Sequence, residues 1–94
     1  MTDPKEKFYR ARRRAMRVLV QSGSRVVLLH EDVFDLEASD EDTIRKIKIC
    51  VDCVGNNAID AVAAVPLPPF CRRQIWLKRG NNATFEIIKV KPCQ

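Results

Sequence analysis

Apolar and polar residues alternate most regularly over 46–53, where Ile47, Ile49, Val51 and Cys53 interleave with Lys46, Lys48, Cys50 and Asp52. A period of two places apolar groups on one face of a strand and mostly polar groups on the other. Gly55-Asn56-Asn57 follows, a run of residues that tolerate positive φ, and 58–65 has the length to pair back. The pattern predicts a β-hairpin over 45–65, and with it an antiparallel β domain.

A different period governs the N-terminal stretch. Phe8, Ala11, Ala15, Val18 and Leu19 recur at helical spacing and form a narrow apolar seam. Asp3 stands where an N-cap belongs, Pro4 suits the first helical position, and Glu6 occupies the capping-box site. Ser22-Gly23 is a stop signal. A helix over 4–21 is expected.

The rest of the chain reads as β structure, spanning 24–91. The continuous apolar run 25–30 predicts a strand covered on both faces. Val33-Phe34-Asp35-Leu36 resumes it, and 37–43 reads as an acidic loop. Pro66-Leu67-Pro68-Pro69 is a stiff extended connection, because proline lacks the donor that a central strand needs. A strand over 73–79, a turn at Gly80-Asn81-Asn82 and a returning strand over 83–91 make a second hairpin. There Phe85/Ile87 give way to Ile88/Val90, which calls for a bulge or for burial on both faces. Gly-Asn-Asn-Ala occurs twice, and two independent turns explain it better than a duplicated hairpin. The expected fold is α+β, mainly antiparallel β: a small five-stranded barrel or sandwich with one N-terminal helix.

Ninety-four residues make one domain, 1–94, and 46% hydrophobic residues exclude a disordered chain. No apolar run approaches the roughly 20 residues that a membrane-spanning helix needs. The charged N-terminus lacks a signal-peptide core, which points to an intracellular protein with Cys50, Cys53, Cys71 and Cys93 reduced.

Charge changes the picture more than composition does. Residues 1–25 carry eight basic and two acidic groups, residues 26–43 seven acids and no Lys or Arg, and residues 44–94 nine basic and three acidic groups. Such segregation suits contact with other charged surfaces. Lys7, Arg10, Arg14 and Arg17 follow helical spacing on one face, Arg12 and Arg13 widen it, and Arg72, Arg73, Lys78 and Arg79 extend the basic set. These residues are the candidates for a partner surface or for nucleic-acid phosphates. Asp40, Glu41 and Asp42 are the candidate acidic interface.

Material for catalysis is poor. No nucleophile–base constellation is placed, and a run of neighbouring acids on a loop has no partner that would shift one pKa for acid–base work. Cys50 and Cys53 lie three apart in an alternating strand and point to opposite faces, and Cys71 and Cys93 stand alone. Buried thiols are expected, with no metal site and no cofactor. The reading is of a protein without enzymatic activity. The few aromatic residues form no stacking platform for exposed bases.

The Arg-rich helix over 5–17, the strand start Ser24-Arg25-Val26-Val27-Leu28, and the ending from Gln74-Ile75-Trp76-Leu77-Lys78-Arg79-Gly80 through Phe85-Glu86-Ile87-Ile88-Lys89-Val90 resemble the small neck proteins of tailed bacteriophages. These are the head-completion, stopper and tail-attachment connectors. The resemblance covers the outline of most of the chain. It implies a structural virion component in the virion or the host cytoplasm. It also implies a homo-oligomeric ring that docks other assembly proteins with DNA passing through, and no catalytic residues. The alternative is a small basic nucleic-acid-binding or inhibitor protein.

Overall fold

A computed structural model describes residues 3–80 and 84–92. Its order is α1 (Pro4–Gln21), β1 (Arg25–Leu28), β2 (Leu36–Ser39), β3 (Ile44–Val51), α2 (Asn56–Ala64), β4 (Cys71–Lys78) and β5 (Glu86–Val90). The strands form one open sheet in sequential order, β1-β2-β3-β4-β5. All neighbours are antiparallel except β3 and β4, which run parallel. The α+β class holds, but the sheet is neither a closed barrel nor a sandwich, and a second helix is present.

Helix α1 has the expected bounds for the expected reasons. Asp3 accepts from the Lys5 N–H at 3.0 Å, Pro4 opens the helix, and Gly23 at φ +94° ends it. Glu6 reaches forward to Arg10 at 2.9 Å and not back to the cap. Ala11, Ala15 and Leu19 are buried, whereas Val18 is left exposed. With Leu36, Ala38, Ile47, Ile49 and Trp76 they build the core on one face of the sheet, over β1, β2 and β3.

The hairpin predicted over 45–65 does not form. Its first arm is β3, but its second arm is α2. Gly55 is the N-cap of that helix at φ −75°, and the positive φ in this stretch belongs to Asp52, at +69°. The physical reason lies in the composition of 56–64. Four of its nine residues are Ala, the best helix former, and Ala58, Val62 and Val65 recur at helical spacing. Because β3 and β4 are parallel, the chain between them must cross over the sheet, and a helix on one face is the usual means. Val62, Phe34 and Ile75 form the second core there, joined by Ile88 and Val90. Ile75 and Trp76 are consecutive in β4, so the two cores lie on opposite faces.

Other expectations resolve in the same frame. Strand β1 is an edge strand with Val27 51% exposed, so it is covered by α1 alone and not on both faces. Glu37, Ala38 and Ser39 belong to β2, which shortens the acidic loop to a turn at 40–43, closed by Asp40 N–H donating to the Thr43 carbonyl at 2.9 Å. The β4–β5 hairpin stands, with Gly80 at φ +47° after β4. The broken alternation at β5 is neither a bulge nor burial on both faces: the register with β4 is unbroken, Phe85 packs against the α1-side core just before the strand, Ile88 and Val90 pack against the α2-side core, and Ile87 is left 48% exposed. The remainder of the turn, 81–83, and Cys93 lie outside the described residues. Among the described residues, no helix is long and apolar enough to cross a membrane.

Candidate interaction surfaces

The helical candidates Lys7, Arg10, Arg13, Arg14 and Arg17 are all exposed on α1. Arg10 is bound to Glu6, and Lys7 lies 3.9 Å from Asp52 at the far end of β3. Arg12, next to Arg13 in sequence, turns onto the Phe8 and Tyr9 rings at 5.6 and 4.9 Å. Guanidinium stacking of this kind covers apolar surface while the charge stays hydrated.

Arg72 and Arg73 part company although they are adjacent. Arg72 is exposed. Arg73 is buried, and its Nη1 donates to the carbonyls of Val62, at 2.8 Å, and of Val65. Those carbonyls close α2, where the helix exposes unsatisfied acceptors and the negative end of its dipole. Arg73 is therefore spent on holding α2 to β4 and is not available to a partner. Its alternation with Arg72 could have suggested an inward side chain, but nothing in the sequence names α2 as its acceptor.

The acidic candidates divide as well. Asp40 accepts from the Ser24 hydroxyl at 2.6 Å and lies 3.4 Å from Arg45, whose Nη2 also donates to Ser24 Oγ at 3.0 Å. This cluster ties the end of α1 to the β2–β3 turn. Glu41 and Asp42, at the tip, are exposed and make no ion pair among the described residues. Farther up, Lys46 bonds Glu31 at 2.6 Å, and Asp35 accepts from the Ile49 N–H at 2.7 Å. Burial raises the Asp35 pKa from its ordinary value, opposed by that N–H, Lys48 and Arg12.

A cleft of about 420 Å³ opens at the foot of β4 and β5. Arg72, Arg73, Lys89 and Lys91 line it beside the wall of Leu67, Pro68 and Pro69, and among the described residues no carboxylate does. Sequence reasoning missed Lys89 and Lys91. Register reveals them: Gln74 pairs with Lys89, which brings the tail of β5 alongside the start of β4. Cys71 also lines the cleft. Burial pushes the Cys71 and Cys50 thiols up, which disfavours the nucleophilic thiolate. Among the described residues, no three His, Cys, Asp or Glu side chains converge as metal ligands.

Sheet order converts the charge blocks of the sequence into a lateral gradient. Residues 25–42, which build β1 and β2, carry one Arg against seven acids, a net of −6. Residues 71–92, which build β4 and β5, carry six Lys and Arg against Glu86, a net of +5. The two blocks occupy opposite halves of one sheet, and each half ends in an edge strand. No family model matches the chain, nor does any curated protein or solved structure.

Proposed function

We propose that the chain is a structural subunit whose copies join side by side into a closed ring, in the manner of the neck connectors of tailed bacteriophages. The observation that carries this reading is the charge gradient across an open sheet. A contact between unlike surfaces of identical copies is heterologous, and it closes into a ring when the rotation permits. Here the unlike surfaces are the two halves of the sheet, acidic at β1–β2 and basic at β4–β5. Each edge strand offers unpaired backbone donors and acceptors for strand addition. Exposed Val27 on β1 and Ile87 on β5 add apolar area at those edges. Charge sets direction and partner choice in such a contact, and backbone pairing with apolar burial supplies the affinity.

Native mass measurement across a concentration series tests the proposal. Discrete closed oligomers are expected, and a monomer at all concentrations would overturn it. Proline at Ile87, which removes a donor from the β5 edge, should prevent assembly without unfolding the chain.

One observation favours a second reading, contact with nucleic-acid phosphates. The outer face of α1 presents Lys7, Arg10, Arg13, Arg14 and Arg17, five cations against Glu6 beside Arg10 and Asp52 beside Lys7. Replacing Arg13 and Arg17 with Glu separates the two. Loss of duplex binding and of its steep salt dependence, with assembly intact, would assign α1 to nucleic acid.

A further inference from the structure

We infer that the cleft at the foot of β4 and β5 receives the acidic β2–β3 turn of a second copy, with Glu41 and Asp42 facing Arg72, Lys89 and Lys91. This inference rests on the assembly reading and names the contact that gives it direction.

Three observations carry it. Among the described residues the cleft is lined by cations without a carboxylate, and since Arg73 is committed to α2, the groups left to bind an anion are Arg72, Lys89 and Lys91. The turn carries the complementary charge. Asp40 anchors it through Ser24 and Arg45, and Glu41 and Asp42 project from its tip without an ion pair among the described residues. A turn held in this way loses little conformational freedom on docking.

Strand direction supplies the third. Pairing of Arg25 with Ser39, Ser39 with Ile44, Ile44 with Cys71, and Arg73 with Val90 places the start of β1, the β2–β3 turn, the start of β4 and the end of β5 at one end of the sheet. Strand β5 runs toward that end and β1 runs away from it. If β5 of one copy lies beside β1 of the next with the same ends aligned, the two strands are antiparallel, the pairing best suited to an added edge strand. The turn of the second copy then stands at the same end as the cleft. Joining β2 to β3, it lies between two and three strand spacings from β5, roughly 10–14 Å, a gap that long Lys and Arg side chains and the turn's own carboxylates reach into from both sides.

Zero-length carbodiimide coupling of an equal mixture of ordinary and ¹⁵N-labelled protein tests this contact. Couplings from Glu41 or Asp42 to Lys89 or Lys91 should carry mixed labels, showing that they join two chains. An assembling protein whose couplings at Glu41 and Asp42 stay within one chain, or run to Lys5 and Lys7, overturns the inference and leaves the assembly reading standing. A protein that never assembles overturns both. Charge reversal supplies a second arm. Glu41→Lys with Asp42→Lys, and separately Arg72→Glu with Lys89→Glu and Lys91→Glu, should each weaken self-association at least tenfold. Mixing the two variants should restore it in alternating order. Failure of the mixture to associate, with both variants folded, counts against the contact.

Discussion

The two helices cover opposite faces of one sheet and hold to it by different means. Helix α1 is 18 residues long, is capped by Asp3, and drives Ala11, Ala15 and Leu19 into the core over β1–β3. Helix α2 has nine residues, a glycine N-cap without a side-chain bond, and one fully buried side chain, Val62. An isolated helix of nine residues is unstable in water, because nucleation costs more than so few hydrogen bonds return. Its C-terminal carbonyls are instead bound by Arg73, a residue of the strand beneath it. A long amphipathic helix carries its own signals, whereas a short crossover helix is completed by the sheet it crosses.

The comparison can be broken most forcefully at the cores. Leu19 is 1% exposed, so Leu19→Ala should destabilise the protein by about 3 kcal/mol in urea unfolding, from lost transfer energy and the cavity left behind. A loss below about 1 kcal/mol would mean that α1 is not packed as described.

Arg73→Met comes next, because it keeps the stem and removes the donors. Two carbonyls at the end of α2 would lose their partner, at a cost of about 2 kcal/mol. Amide exchange should accelerate in 58–65 more than in α1. Uniform acceleration across both helices would show that Arg73 serves the fold at large and not α2 in particular.

The two Gly-Asn-Asn stretches supply the smaller tests. Gly80 sits at φ +47°, where a β-branched side chain is strained, so Gly80→Val should cost about 1 kcal/mol or more. Gly55 is an N-cap in extended backbone, so Gly55→Ser adds a side-chain acceptor and should stabilise by a few tenths of a kcal/mol. Thermal melts of both variants check these values. A loss at Gly55 as large as that at Gly80 would restore a hairpin turn in place of the start of α2.

Misreading of 55–65 has a definite cause. Gly-Asn-Asn serves equally at a hairpin turn and at a helix start, and the arm that follows is short enough for either. Ala58, Val62 and Val65 carried the helical signal, but the clear alternation of β3 before them made an antiparallel return the simpler reading. Among the candidate interaction residues, the exposed cations of α1 were legible because a helix wheel needs only sequence spacing. The cleft was not, because Lys89 and Lys91 meet Arg72 only through the register of β4 on β5.

From local information alone the chain determines α1 with its cap and stop, the strand periods of β3 and β4, the β4–β5 hairpin, and three blocks of charge. Those features depend on residues within a few positions of one another. Tertiary structure decided that β3 and β4 run parallel, that 56–64 is a helix, that Arg73 turns inward while Arg72 stays out, and that acidic and basic blocks end on opposite halves of one sheet. Each of these depends on which distant segment becomes a neighbour, and strand pairing across the sheet makes that choice by burying both faces at once.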